Sequence, residues 1–542
     1  MPIVSFALEY LKQLTDSTPE QLEKLAFDYG LEAEITGDEL ELEVTAERPD
    51  LLSAEGFTRA INTFTTSKAR PVPNQLEDSG LVITVNKKVQ NLRPYIGALV
   101  AENIKLSLAS LEALIQFQDK VCQTFGRQRK KIAIGVYDLS KIKGNIEYTA
   151  EDKNIISFVP LNGEKKLTGQ QILTQHPTGI KYADALPDGK YVPVLCDDSG
   201  QILSMPPIIN AHGVGNVTPE ASRLFVDVTG TSERAVKEML SIIAHNFLDI
   251  NAQIKTVTIK YPEDCVVTPN LEAIKMTYSL DNLNRIIGVN VSEEELSKHL
   301  VKMDLCVKEQ NTILIPSYRT DMIGEVDIAG DLLIAIGLDN LDPDLSTIQK
   351  QEGKSNPIKD FAFKIGDLSQ RIGLVEVKSL ILIDPDQLSL FSDNYVQTGN
   401  AKSRTFSSAR TSLQPGMIEI LSRNITEPKP VNIYEIGEVL YIKEDGNVYE
   451  TISWGFASLD SQASFTTAKS YMQTMLKALG IDYQLTECDE KRYIPGRAAY
   501  VIVNGYQAGH FGEINPVILN LFSFPEPICS GELDCKILVI KD

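Results

Sequence analysis

The chain has 542 residues, 43% of them hydrophobic and 7% aromatic, and at about 100–200 residues per domain it calls for three to five domains of ordinary globular composition. A formal net charge of −21 argues against a chain whose main task is coating nucleic acid, so any RNA contact has to be local. No run of 18 apolar residues is present, so no membrane-spanning helix is expected, and seven cysteines scattered without CxxC pairs disfavour both a disulfide scaffold and a zinc site.

The opening run, Met1-Pro2-Ile3-Val4-Ser5-Phe6, lacks a basic region followed by an apolar core and a cleavage site, so a cytoplasmic protein is expected. Thr18-Pro19-Glu20 reads as a helix start, with Leu22, Leu25 and Ala26 as the buried stripe. Alternation over residues 40–45 predicts a half-exposed strand. Arg48-Pro49-Asp50-Leu51 then turns into a second helix, and the proline-punctuated run 70–74 marks a first boundary near residue 75.

Residues 80–265 read as a mixed α/β domain, with strand character at 81–85, 96–100 and 191–195. Arg127, Arg129, Lys130 and Lys131 are the densest basic cluster; such a run is either a solvated turn or a local contact for an RNA phosphate. Pro206-Pro207, Gly213 and Gly215 force turns beside strands, where Ser204, Asn210, His212, Asp227, Thr229 and Thr231 gather. Ser, His and Asp are the residue types of a nucleophilic triad, yet the G-x-S-x-G elbow is missing. For Asp227 and Thr229 the plainer reading is capping at a strand end.

Residues 268–345 begin with a short helix ended by Gly288, followed by a capping box at Ser292-Glu293-Glu294-Glu295 and a hairpin from Leu305 to Ile315, the pattern of a winged-helix-like module. Its acidic second helix favours packing over DNA binding. After Pro316 a helical apolar pattern runs through Val326, Ala329, Leu332, Leu333 and Ile336, and Gly337 ends it. Asp327 and Asp331 share one face of that helix, and Asp321 lies six residues upstream. Three acids so placed either cap the helix start or hold a hard cation such as Mg²⁺.

A polar linker over 343–357 leads into an amphipathic helix at 361–373 and then strands at 375–383, 431–440, 452–456 and 499–503, the alternation of an antiparallel sheet with a helical face.

Several of these runs carry a family resemblance. Pro316-Ser317-Tyr318-Arg319-Thr320-Asp321 with the helix that follows, the Arg48-to-Gly56 run, and Gly126-Arg127 through Asp138 resemble phenylalanyl-tRNA synthetase β subunits of the archaeal and eukaryotic type. Ala409 to Met417 and Pro495 to Pro516 are similar to that family's class II catalytic-like domain. The fold so implied is α+β and multidomain: an N-terminal α/β structural domain (1–75), an α/β editing domain (80–265), the winged-helix-like module (268–345), and a class II synthetase-like antiparallel sheet with helices (355–542). That last domain would be inactive and form the α-subunit interface.

The resemblance implies a ligase that joins phenylalanine to tRNA(Phe) with ATP and Mg²⁺ as an α2β2 tetramer, with the synthetic site in the α subunit. It implies editing of Tyr-tRNA(Phe) here, with Leu195 and Ser204 lining the pocket and Asp227 and Thr229 orienting the tyrosyl hydroxyl or the ester. It also places Mg²⁺, shared with the α subunit, on Asp321, Asp327 and Asp331, although Gly330 stands where the family is usually acidic. Cys122 and Tyr137 replace two histidines common in the family. Neither a membrane nor DNA is an expected partner. Two other classes are a free-standing aminoacyl-tRNA deacylase and a non-enzymatic scaffold.

Overall fold

The computed structural model describes residues 2–68, 75–309, 311–341 and 353–539. The expected boundary at 70–74 and most of the linker expected over 343–357 lie outside the described residues. The chain divides into two units, Met1–Leu345 and Ser346–Asp542. Among the described residues no helix is long and apolar enough to cross a membrane.

In the first unit the strands Ile3–Ala7, Glu39–Glu43 and Glu32–Thr36 form a small antiparallel sheet. The Thr18 start is a full capping box, and the helix Pro19–Asp28 buries Leu22 and Ala26 as their spacing predicts. The larger sheet has ten strands, with the strand order Ile209–Asn210, Ile202–Met205, Tyr191–Asp197, Ile146–Asp152, Glu77–Val85, Gln253–Lys260, Tyr95–Glu102, Arg223–Gly230 and Ile132–Asp138, while Cys265–Thr268 pairs with Gln253–Lys260. Two pairings at its middle are parallel, and the others are antiparallel.

The N-terminal segments expected as separate domains share one core. Phe57 from the helix Ala54–Thr66, Leu99 and Leu224 from the large sheet, and Leu283, Ile313 and Leu332 from the last segment belong to a single buried cluster. The hairpin Cys306–Glu309 with Thr312–Ile315 joins Ile274–Thr277 in a three-stranded sheet, beside the helices Leu280–Ile287, Glu293–Leu300 and Glu325–Ile336. The last helix buries Ile328, Ala329, Asp331, Leu332 and Ala335. Val326, expected in the buried stripe, is instead 68% exposed, because the inward face starts two residues later.

The second unit is a seven-stranded sheet in the order Val375–Glu376, Val431–Ile442, Val448–Leu459, Ile528–Asp534, Tyr506–Ile514, Tyr493–Val503, Gln484–Glu487, antiparallel except at its first edge. The helices Pro357–Arg371 and Phe465–Leu479 contribute to the core around Trp454, Phe456 and Phe511. Trp454 is fully buried, and its indole Nε1 donates to Ser369 Oγ at 2.8 Å. Since this is the chain's one tryptophan, its emission reports on the second unit alone. Ser369→Ala strands that indole N–H, and is expected to lower the stability of this unit by about 1–3 kcal/mol in denaturant unfolding followed by tryptophan fluorescence.

Candidate functional site

Strand register assembles a cavity on the large sheet. Arg223–Gly230 and Ile132–Asp138 pair so that Gly135 faces Asp227, Ala133 faces Thr229 and Tyr137 faces Phe225. Side chains alternate with period two, so these residues share one face of the sheet. Ser204 arrives from the hairpin Tyr191–Asp197 with Ile202–Met205 at the other end of the strand order, and its Oγ meets the Tyr137 hydroxyl. The cavity so formed measures about 350 Å³ and is lined by Cys122, Arg129, Tyr137, Ser204, Asp227 and Thr229, among others. Leu195, expected in the lining, is not part of it: it is fully buried in the hydrophobic cluster that also contains Tyr137.

Within the cavity Asp227 is 1% exposed and its Oδ1 has no hydrogen-bond partner. Burial pushes its carboxyl up to about 7, against the opposing pull of the Tyr137 hydroxyl and the Arg93 cation. Tyr137 donates its phenol to Ser204 Oγ at 2.9 Å. Gly135 is a steric requirement, since a Cβ there would lie 2.3 Å from the Tyr137 hydroxyl and 2.4 Å from Asp227 Oδ1.

Arg93, which sequence reasoning missed, braces the cavity from behind. Its guanidinium donates from Nε to Thr229 Oγ1 (3.0 Å), from Nη2 to Thr229 O (2.7 Å) and from Nη1 to the carbonyl of Arg129 (3.0 Å). A lone Arg between Leu92 and Pro94 carries no spacing signal that would mark it. The carbonyl it holds belongs to a turn in which Arg127, Gln128 and Arg129 all have positive φ, a conformation costing about 1–2 kcal/mol for each such residue. Arg129 turns inward, donating to Ile208 O at 2.8 Å and lying 3.9 Å over the Tyr182 ring, whereas Arg127 and Lys130 are exposed. His212 is exposed at the start of a short helix, and the hydroxyl partner of Ser204 is Tyr137, so no triad is assembled around Ser204.

The three acids near the other end of this unit are arranged differently. Arg319 donates to both oxygens of Asp321 (2.9 and 2.7 Å) and from Nη2 to Asp331 Oδ2 (2.7 Å). Asp327 Oδ2 accepts from the backbone N–H groups of Ile323 and Gly324 at 2.7 and 2.8 Å.

Comparison with known proteins agrees with this architecture. Residues 276–338 match the tRNA synthetase B5 domain model and residues 341–535 the phenylalanyl tRNA synthetase beta chain CLM domain model. The phenylalanine–tRNA ligase beta subunit of Pyrococcus furiosus is 35% identical over 90% of this chain and 89% of its own length. This chain belongs to the family of phenylalanine–tRNA ligase beta subunits. That of Archaeoglobus fulgidus is 30% identical over 98% of both chains. A crystal structure of an N-terminal fragment of the Pyrococcus horikoshii phenylalanyl-tRNA synthetase beta subunit covers 62% of this chain and 99% of its own, with a TM-score of 0.59 and 30% identity.

Two family expectations meet the geometry here. Mg²⁺ at Asp321, Asp327 and Asp331 does not fit these side chains: a guanidinium already occupies the space between two of the carboxylates, and the third caps a helix. Gly330 adds no fourth carboxylate. Among the described residues no group of three or more His, Cys, Asp or Glu side chains is placed to hold a metal. In the second unit, the arginines of the two runs similar to a class II catalytic domain are both paired: Arg410 is buried against Glu435 at 2.6 Å and Arg497 meets Glu513 at 2.7 Å.

Two measurements test this reading. Between about pH 4 and 7 the unfolded chain ionises at position 227 while the folded chain keeps its proton, so this group lowers wild-type stability as pH rises through that window. Asp227→Asn is therefore expected to gain on the wild type from pH 4 to 7, approaching about 4 kcal/mol in denaturant unfolding. Arg319→Met is expected to cost about 3–5 kcal/mol by leaving buried carboxylates unpaired, and added Mg²⁺ is expected to leave the wild-type melting temperature unchanged.

Proposed function

We propose that this chain is the non-synthetic partner in a ligase that attaches phenylalanine to tRNA(Phe), and that its own chemistry is clearance of tyrosine wrongly attached to that tRNA. The observation that carries the reading is the cavity at Asp227: a buried acceptor with no donor, at the end of a space large enough for an aromatic side chain. A site built for phenylalanine discriminates weakly against an analogue that merely adds a hydroxyl, whereas a second site that hydrogen-bonds the hydroxyl sorts the two. Asp227 Oδ1 would receive the tyrosyl hydroxyl, and Thr229, held by Arg93, would orient the ester. Ser204 would line the pocket as a hydrogen-bonding group rather than as a nucleophile. Water, positioned by the bound substrate, would be the attacking group.

Synthesis with ATP and Mg²⁺ would occur on the α subunit, in an α2β2 assembly in the cytoplasm. Burial of Arg410 against Glu435 supports an inactive last domain, since adenylyl transfer needs positive charge free to meet phosphate. Phe363, Val375 and Leu380 of that unit are 79, 65 and 63% exposed, apolar surface of the sort a permanent subunit interface covers. Exposed Arg127 and Lys130, beside the cavity-lining Arg129, offer the local positive charge a tRNA end needs. Residues 1–75 and 268–345 would then serve structure, and 80–265 editing.

Asp227→Ala or Thr229→Ala is expected to leave aminoacylation by the assembled enzyme intact while Tyr-tRNA(Phe) accumulates about tenfold or more. Unchanged clearance would remove the editing role. Activity of this chain purified alone would favour a free-standing deacylase.

A further inference from the structure

The ten-stranded sheet does not close on itself through strand pairing. Its order begins with Ile209–Asn210 and ends with Ile132–Asp138, and among the described residues neither of these has a second strand partner. The two ends nevertheless meet at the cavity, which is lined by residues 133–137 from one end and by Ser204 and 206–210 from the other. Side-chain hydrogen bonds cross this seam: the Tyr137 hydroxyl to Ser204 Oγ (2.9 Å), Asn210 Nδ2 to the carbonyl of Val136 (3.3 Å), and Arg129 Nη1 to the carbonyls of Ile208 (2.8 Å) and Pro207 (3.3 Å). A bond of this kind shifts an equilibrium by about two- to tenfold, so a few of them hold less firmly than a ladder between paired strands. Behind the seam the polar groups are shut away, with Tyr137, Ser204 and Asp227 each 1% exposed and Thr229 0%. A ligand meets them only once the seam parts.

Arg129 is the link best placed to be released from outside. Its side chain is 18% exposed, and Arg127 and Lys130 beside it are exposed. Both acceptors of its Nη1 are neutral carbonyls, its Nε has no hydrogen-bond partner, and Asp119 lies 3.5 Å from its Nη2. A guanidinium bonds phosphate about twice as strongly as it bonds a neutral oxygen, and often through two parallel N–H groups. The backbone points the same way. Arg127, Gln128 and Arg129 all have positive φ, and Arg93 holds the Arg129 carbonyl at 3.0 Å, so a strained turn is kept that aims this side chain across the seam.

We propose that Arg129 is a latch on the seam, released by a phosphate of the incoming RNA end. Exchange of the two carbonyls for phosphate frees 206–210 to move away from Ile132–Asp138, and the aminoacyl ester enters. Arg129 acts through the wall it holds and not on the ester, so it is a positioning residue. The inference rests on the editing reading of the cavity and concerns how the substrate gets in.

The test uses the full chain purified with its catalytic subunit and two esters, Tyr-tRNA(Phe) and tyrosyladenosine, which carries no phosphate. Wild type is expected to favour the tRNA ester. Arg129→Gln unlatches the seam and removes the phosphate contact together, so kcat/KM is expected to rise about tenfold for tyrosyladenosine and to fall about tenfold for Tyr-tRNA(Phe). Asn210→Ala loosens the same seam from another strand and is expected to raise the tyrosyladenosine value as well. A residue that only shapes the wall would lower both values, and one that only binds phosphate would leave tyrosyladenosine unchanged; either result for Arg129→Gln overturns the latch. Hydrogen exchange over residues 203–212 reads opening without chemistry. Uncharged tRNA(Phe) is expected to raise it in the wild type, and no rise overturns the latch while leaving the editing function in place. A wild type that hydrolyses neither ester although this exchange rises overturns the editing reading, and the entry of an ester with it.

Discussion

Arg319 reaches three separate parts of the first unit from a position where its side chain has no exposed surface: Asp321 on its own turn, Asp331 on the helix Glu325–Ile336, and the carbonyl of Met303. A second guanidinium, Arg48, pairs with Asp50, donates to the Tyr29 hydroxyl and approaches Asp321 at 3.9 Å. Close by, Arg59 pairs with Asp249 and lies 4.0 Å over the ring of Tyr318, whose hydroxyl donates to Asp304. Charges taken out of water are tolerated only when each is paired and hydrogen-bonded. Meeting that condition here requires residues 29–59, 249 and 303–331 to be in place together, so the constraint ties the chain's beginning to the far end of its first unit.

That tie explains why the acids behave as structure. Asp321 is held below the ordinary carboxylate range, with burial opposing and the Arg319 guanidinium prevailing, whereas deeper burial pushes Asp331 up. The cavity at Asp227 has the opposite character. There a carboxyl is buried beside a cation that hydrogen-bonds elsewhere, and one of its oxygens is left open. In one unit, charges paired across distant segments build the scaffold, while the carboxyl in the cavity keeps one oxygen unpaired. The turn at Arg127 to Arg129 links scaffold and cavity, because Arg93 holds both its carbonyl and Thr229.

Much of this was legible in the residues. Capping boxes at Thr18 and Ser292, the hairpin before Pro316, and the strands around Val194, Ile436 and Val501 follow from local chemistry, and local chemistry is what short patterns encode. Ser204, Asp227 and Thr229 stood out as small polar residues gathered beside turns, with their roles implied by the family resemblance, and the fold brings all three to one cavity. What escaped depends on distant pairing. Leu195 carries no sign of which side of the cavity wall it lies on. The spacing of Asp321, Asp327 and Asp331 shows that they share a neighbourhood but not that Arg319 stands among them, although Arg319 is only two residues from Asp321. The inward role of Arg129 and the brace from Arg93 require contacts across 36 residues and more.

The single buried cluster that runs from Val4 to Ala335 also limits how the cavity can be moved between proteins. Cutting the chain on either side of the ten-stranded sheet would bare Leu99, Leu224 and Met239 on one piece and Phe57 or Leu332 on the other. The transplantable module is therefore the whole stretch up to Leu345, and a protein engineer who wanted only the cavity at Asp227 would have to graft its foundations as well.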